Sequence, residues 1–160
     1  MYKPEIGAEA EFGQGKKYRY ALWRIWDLSK PRVMFVGLNP SRAVERKNDN
    51  TIIKVVKIAR HNGFGGVYMM NIYPFITAYP SQLSCNYESN IINNEWLEKV
   101  YDRCAKVVYC WGSFKQAQGR AEEVMKLFVN PMCLAINKDG APKHPLYCLD
   151  ETILIPYKVK

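Results

Sequence analysis

The ten residues Arg32-Val-Met-Phe-Val-Gly-Leu-Asn-Pro-Ser41 decide how this chain can fold. Residues 33–36 form an apolar, partly β-branched run, which is typical of a fully buried strand. The strand must end at Gly37, because Pro40 cannot continue a ladder and biases Asn39 towards an extended backbone. Such a break places an amide side chain and free backbone N–H groups at the carboxyl end of the strand, where ligands bind in open α/β sheets. An ordinary strand-to-loop turn is the alternative interpretation.

Apolar runs and helical periodicities alternate through the rest of the chain. Strands are predicted at 18–26, 33–36, 66–72, 106–111 and 131–136, with a short closing segment in 152–159. Helices are predicted at 51–61, 89–104 and 113–128, and in the second of them Ser89 is the predicted cap, Ile92 faces the core and Asn93 is exposed. Residues 1–17 form an irregular segment, a loop or an irregular hairpin, and residues 41–50 form a loop.

Strands that alternate with helices favour a parallel sheet with right-handed crossovers. We therefore predict an α/β fold of three layers, α/β/α, with a four-stranded, mostly parallel central sheet. The strand at 18–26 carries aromatic side chains on both faces and is predicted to lie at the edge of this sheet. The whole chain, residues 1–160, is predicted to form a single domain.

Composition and charge limit the classes of function. The chain has 160 residues, of which 48% are hydrophobic and 24% charged, as in an ordinary globular domain. No apolar run approaches the roughly 18 residues of a membrane span, and no signal-peptide core is visible, so we predict a cytoplasmic protein. Five cysteines without a Cys-x-x-Cys pair disfavour a disulfide framework and a metal site, so no metal or cofactor is predicted. The net charge of +8 is compatible with a nucleic acid or a small nucleotide as partner.

Four polar or aromatic segments follow the predicted parallel strands. The carboxyl ends of parallel strands share one edge of the sheet, here called the rim, so residues 37–41, 71–75, 111–113 and 138–147 should meet there. Tyr73 and Phe75 belong either to a pocket wall or to a satellite of the core. The convergence predicts a crevice for a heterocyclic ring, whose binding residues are Gly37, Leu38, Pro40, Ser41, Asn71, Tyr73, Phe75, Trp111, Lys138, Lys143 and Tyr147. Asp49, in the loop 41–50 over the strand end, is also predicted to bind the ligand.

Short motifs in these segments carry a resemblance to known families. The span from about Tyr18 to Tyr147 is similar to a family of small uncharacterised proteins, a domain of unknown function, marked here by Gly37-Leu-Asn-Pro-Ser41, Asp49-Asn-Thr51, Trp111-Gly112 and Lys138-Asp-Gly-Ala-Pro-Lys-His-Pro-Leu-Tyr147. The chain also resembles the uracil-DNA glycosylase superfamily, whose members have a four-stranded parallel sheet between helices. Its first motif is matched by Gly37-Leu-Asn-Pro40, in the Asn form typical of the mismatch-specific branch. Its base-reading Asn looks like Asn71, and its final motif looks like His144-Pro145.

The glycosylase resemblance implies cleavage of an N-glycosidic bond, through an oxocarbenium-like sugar with the base leaving as an anion. It implies two catalytic residues, Asn39 to hold the attacking water and His144 to donate to a base oxygen. It further implies that Asn71 reads the edge of an extruded base, that Tyr73 or Phe75 stacks on this base, that Lys138 and Lys143 hold flanking phosphates, and that Leu146 enters the vacated site. The first motif has no Asp, and neither Glu45 nor Asp49 is an obvious base.

Three functions stay open at this point. The first is a DNA glycosylase or a related base-processing enzyme, and the second is a non-catalytic binder of nucleotides or modified bases. The third is a scaffold whose rim contacts a protein, which the basic charge and the donor-rich rim disfavour. The sequence therefore predicts a nucleobase-recognising protein, with glycosylase-type hydrolysis favoured over binding alone.

Overall fold

A seven-stranded mixed sheet forms the centre of the molecule. The computed structural model describes residues 8–13, 15, 17–41, 48–83 and 87–158. The strands of this part are β1 (Ala8–Phe12), β2 (Arg19–Ile25), β3 (Arg32–Gly37), β4 (Gly66–Asn71), β5 (Lys106–Tyr109), β6 (Met132–Cys133) and β7 (Ile155–Pro156). Its α-helices are α1 (Asn50–His61), α2 (Tyr87–Tyr101) and α3 (Gln118–Met125). Residues 42–47 of the predicted loop, with Glu45, lie outside the described residues, as does Cys85.

The sheet has the order β1-β2-β4-β3-β5-β6-β7. The α/β class is confirmed, but the predicted size of the sheet is wrong. The third to sixth strands in this order, from β4 to β6, are parallel neighbours. They are flanked by β2 and β7, which run antiparallel to them. The strand predicted at the edge, β2, is internal, because β1 pairs with its outer side from Ala8 opposite Arg24 to Phe12 opposite Arg19. Part of the N-terminal segment is thus a strand, with one irregularity between Glu11 and Phe12.

Helices cover both faces of the sheet. Val33 and Phe35 pack with the buried side of α1 on one face, and Met34 and Val36 pack with α2 and α3 on the other. Alternate residues of a strand point to opposite faces, so both sets of side chains need an apolar cover. This explains why the run at 33–36 is apolar throughout rather than alternating.

A side-chain cap and a left-handed glycine define the two ends of α1. The Asp49 carboxylate accepts a hydrogen bond from the Ile52 N–H at 2.9 Å, which caps the first turn. At the other end Gly63 has φ of +85°, the left-handed conformation that commonly follows a helix. The side chain of Asn62 also donates to the Thr152 carbonyl at 2.8 Å and accepts from Leu154 N–H, so this helix end holds the C-terminal segment.

The second helix differs from its predicted start and face. It begins two residues before Ser89, which is buried within the helix rather than capping it. Asn93 is fully buried, whereas 42% of Ile92 is exposed. Asn93 is buried because its amide donates hydrogen bonds to the carbonyl oxygens of Asn71 at 2.8 Å and Ile72 at 3.3 Å. Apolar periodicity cannot predict a buried amide that bonds to the backbone of another element.

The last elements are shorter than predicted. The predicted helix at 113–128 consists of the single 3₁₀ turn Lys115–Ala117 followed by α3. The strand predicted at 131–136 is only Met132–Cys133, because the chain leaves the sheet and doubles back through a bridge between Ile136 and Pro142. Among the described helices none has the length and apolar character needed to cross a membrane.

Candidate ligand-binding site

A cavity of about 200 Å³ opens at the rim. Its walls come from residues 37–41 after β3, the start of α1, the end of β4, the segment 77–80 and residues 144–146, and we call it the rim cavity. Pockets for drug-sized ligands are larger, roughly 300–1,000 Å³. The volume therefore suits one ring system rather than a complete nucleotide.

Asn71 presents a free amide to the rim cavity. The residue is only 3% exposed, it lines the cavity, and its side chain makes no hydrogen bond with any other described residue. A Cβ on Gly37 would lie 2.9 Å from the Asn71 Oδ1, so the glycine is needed for this close approach. Buried amides normally have partners, so an amide left open to a cavity is available to a ligand.

Asn39 holds two walls of the rim cavity together. Its Nδ2 lies 2.8 Å from the Thr77 carbonyl oxygen, 3.0 Å from that of Pro40 and 3.4 Å from that of Phe75. The amide donors of Asn39 are thus directed to the backbone, and its Oδ1 is the atom left to bind a water. The loop after β3 and the segment 77–80 are joined by these bonds.

Asp49 brings a carboxylate into the same space. It lines the cavity, caps α1 through Oδ1, and accepts a hydrogen bond from the Ser41 hydroxyl on Oδ2 at 2.7 Å. A carboxylate has about four acceptor positions, and the described residues use one on each oxygen. Asp49 can therefore accept further hydrogen bonds from a ligand or a water.

His144 lines the rim cavity and directly precedes the 3₁₀ turn Pro145–Tyr147. Its Nδ1 accepts a hydrogen bond from the Leu146 N–H at 3.2 Å, so the neutral ring carries its proton on Nε2. Burial lowers the pKa of His144 below its ordinary value of 6.5, and the charge of Asp49 opposes this shift only in part. The ring is therefore neutral at pH 7 and offers Nε2–H as a donor.

We expect His144 to titrate below pH 6.5 in the folded protein. The folded-state pKa of His144 is lower than its pKa in the unfolded chain. The free energy of unfolding is therefore highest above about pH 6.5 and decreases as the pH falls from there through the folded-state pKa. Protonation of Nδ1 would also remove the bond from Leu146 N–H. An NMR titration of the imidazole C–H signals measures this pKa, and His61→Gln assigns them, since the chain has two histidines. A His144 pKa above 6.5 would contradict the geometry.

Arg19 is a residue of the site that the sequence did not predict. Because β2 is antiparallel to β4, its first residue lies beside the carboxyl end of β4, and Arg19 lines the cavity with only 3% of its surface exposed. Burial lowers the pKa of Arg19 to about 10, against the attraction of Asp49 and with a smaller contribution from Arg24. The available signal was a charged residue in a strand otherwise rich in aromatic and aliphatic side chains.

The remaining lining offers one aromatic ring and one thiol. Phe114 is 38% exposed at the cavity, and it follows the predicted rim segment 111–113 directly. Cys110 is fully buried, and burial raises its pKa, so it stays a neutral thiol rather than a nucleophile. The described residues include no group of three or more His, Cys, Asp or Glu side chains placed to hold a metal ion.

A model of a family described as "Protein of unknown function (DUF1643)" matches residues 19–146. The chain belongs to the DUF1643 family. The predicted membership of a family of uncharacterised proteins is thereby confirmed. No curated protein and no solved structure matches the chain significantly. The DUF1643 match begins at Arg19 and ends at Leu146, which are also the first and last residues of the cavity lining.

The DUF1643 domain brings only part of the predicted binding set together. The rim cavity is lined by Gly37, Leu38, Asn39, Pro40, Ser41, Asp49, Asn71 and His144, together with Leu146. The predicted residues outside its lining are Tyr73, Phe75, Trp111, Lys138, Lys143 and Tyr147.

Core packing explains the position of the aromatic residues that lie elsewhere. The Tyr73 hydroxyl donates to the Gln116 carbonyl at 2.8 Å, and Tyr73 and Phe75 line a separate pocket of about 110 Å³. Trp111 is 3% exposed and packs 4.6 Å from Tyr109, measured between ring centroids. Neither Tyr73 nor Phe75 therefore lines the rim cavity, whereas Phe114 does.

The three remaining predicted residues lie on the surface of the loop that carries His144. Lys138 is exposed, Lys143 is half-buried, and 80% of Tyr147 is exposed. Lys143 is held by its backbone, which donates to the Ala135 carbonyl at 2.9 Å. Contacts from these side chains to phosphate groups outside the cavity stay a prediction.

Proposed function

We propose that the rim cavity binds a single nucleobase and that the protein hydrolyses the N-glycosidic bond of this base in nucleic acid. The observation that carries the proposal is the Asn71 amide, which is buried, open to the cavity and without a hydrogen bond to any other described residue. An amide offers a donor and an acceptor side by side, which matches the alternating donors and acceptors on the edge of a base.

His144 supports the hydrolytic part of the proposal. Cleavage breaks the bond between the sugar C1′ and a base nitrogen, and the bonding electrons leave with the base. The neutral His144 ring donates Nε2–H to the oxygen of the departing base, where the negative charge collects. Its Nδ1 bond to Leu146 fixes the tautomer that this step needs.

A glycosylase-like fold is part of this proposal. Four parallel neighbouring strands lie between α1 on one face and α2 and α3 on the other. The two loops that resemble glycosylase motifs, at 37–41 and 144–146, line one cavity at the carboxyl ends of these strands. The net charge of +8 favours a polyanionic partner such as DNA.

Non-catalytic binding of a base or nucleotide is the second candidate, and the geometry of Asn39 favours it. The residue predicted to hold the attacking water directs its amide donors to the backbone carbonyls of Pro40, Phe75 and Thr77. In that state Asn39 is a structural clamp, with only Oδ1 left for a water. A protein of this kind would recognise the base without breaking its bond to the sugar.

Oligonucleotides that carry uracil, a mismatched thymine or an oxidised pyrimidine separate the two candidates. After incubation with the protein, alkali cleaves the strand at any abasic site, so the enzyme gives breaks at the position of the modified base. The same oligonucleotides with ordinary paired bases are the control. A protein that only binds gives no breaks but is stabilised by its ligand, by about 2.7 kcal/mol at 100 times the Kd. Neither breaks nor stabilisation with any of these oligonucleotides, free bases or nucleotides would contradict the proposed function.

A further inference from the structure

The rim cavity contains a carboxylate that base recognition does not use. Asp49 stands at the start of α1, and its two oxygens accept hydrogen bonds from Ile52 N–H at 2.9 Å and from the Ser41 hydroxyl at 2.7 Å. These bonds fix the orientation of the carboxyl group, yet each oxygen keeps an acceptor position. The group is therefore rigid and still able to bind a water.

A second polar side chain in the rim cavity also points to a ligand. Asn71 shares the cavity with Asp49, is 3% exposed and makes no hydrogen bond with the other described residues. Arg19, also 3% exposed, lines the same cavity and attracts the charge of Asp49. The N-terminus of α1 adds a partial positive charge. A cation and the positive end of a helix therefore both lie on the protein side of the Asp49 carboxylate.

We propose that Asp49 is the catalytic carboxylate, which accepts a proton from the attacking water and stabilises the positive charge on the sugar. The inference rests on the proposed hydrolysis and deepens it, because Asn39 is committed largely to the backbone and is a weak candidate for activating a water.

The proposed step balances as a simple hydrolysis. The water oxygen forms a bond to C1′, and the bond from C1′ to the base nitrogen breaks with its electron pair on the base. The water proton passes to the Asp49 carboxylate, while His144 Nε2–H donates a hydrogen bond to the base anion. Asp49 then returns the proton to solvent, and the base anion takes one up. The products are an abasic sugar and a neutral base.

Asp49→Asn tests this role because it removes the charge and keeps the helix cap. Asn is as good an N-cap residue as Asp, so α1 should stay folded. General base catalysis contributes about 10²–10⁴-fold, so we expect single-turnover base release to slow by at least about 100-fold. The Kd for the same oligonucleotide should change little, since Asn71 still reads the base. Asp150→Asn is the matched control, because this carboxylate pairs with Lys54 at 2.8 Å outside the cavity lining.

A second variant keeps the test decisive if Asp49→Asn does not fold. Ser is also a good N-cap, and Asp49→Ser leaves space in which formate can bind in place of the carboxyl group. We expect formate to restore part of the lost rate in this variant and to leave the wild-type rate unchanged, an effect that a purely structural role would not produce.

The outcomes distinguish failure of the inference from failure of the proposed function. No base release by the wild-type protein from any oligonucleotide would overturn the hydrolysis and with it the role of Asp49. An active wild type with an equally active Asp49→Asn or Asp49→Ser variant would overturn the role of Asp49 alone. Loss of binding in step with loss of rate, without rescue by formate, would also overturn it. Slow release with binding retained or with formate rescue supports the inference.

Discussion

Asn71→Ala is expected to weaken binding of an oligonucleotide that carries the target base by about 5- to 150-fold, since a well-placed amide–base pair is worth about 1–3 kcal/mol. The side chain makes no hydrogen bond with the other described residues, so its removal leaves no protein group unpaired. The variant should therefore lose less free energy of unfolding than free energy of binding. Fluorescence anisotropy at one fixed salt concentration measures the Kd.

Two controls make the Asn71 result specific. Asn137→Ala removes an amide outside the cavity lining, where Nδ2 donates to the Ser113 hydroxyl at 2.8 Å, and it should leave the Kd unchanged. An oligonucleotide with only ordinary paired bases should bind the wild type and Asn71→Ala equally, because its phosphates still attract the basic surface. An unchanged Kd for the target oligonucleotide in a folded Asn71→Ala variant would remove Asn71 from the site.

Arg120→Met is expected to lower the free energy of unfolding by about 3 kcal/mol or more, the largest effect on stability among these variants. It removes two hydrogen bonds of a charged group, each of which is worth about 1.5–3 kcal/mol. The side chain is only 5% exposed, and its guanidinium donates to the Ile72 carbonyl and to the Asn94 side chain, both at 2.7 Å. Methionine fills the volume but cannot donate. At about 2–4 °C per kcal/mol for this chain length, Tm should fall by roughly 6–12 °C.

Urea unfolding and a thermal scan measure the effect of Arg120→Met. The ion pair of Arg120 with Glu123 at 3.1 Å should contribute little, because 61% of the Glu123 side chain is exposed. Glu123→Gln is therefore the matched control and should change the free energy of unfolding by about 0.5 kcal/mol or less. If Glu123→Gln destabilises as much as Arg120→Met, the contacts to Ile72 and Asn94 are not the cause.

The sequence predicted the strands and helices that depend on local patterns of residues. The run at 33–36 is apolar throughout, and residues 51–61 have a helical apolar period, so β3 and α1 lie where the patterns place them. The sequence could not predict the burial of Asn93, because its partners are carbonyls at the end of β4. The pairing of β1 with β2 was unpredicted for a similar reason, since residues 1–17 show no clear period.

The candidate site was predictable to the extent that it follows from topology. Parallel strands end at one rim, so Asn71 and the loop after β3 had to approach each other there. The direction of each loop side chain depends on backbone dihedral angles that the sequence does not specify, and Tyr73 and Trp111 turn into the core instead. The place of Arg19 in the site could be predicted only with the knowledge that β2 runs antiparallel beside β4.

The hydrogen bonding of β1 along the outer side of β2 has a practical consequence for the preparation of this protein. The family-matched span, 19–146, begins at the first residue of β2 and so omits β1. A truncated fragment of that length would expose the backbone groups of an apolar strand, which invites edge-to-edge aggregation. A fragment prepared for experiments should retain the chain from residue 8 onwards, even though the cavity lining starts at Arg19.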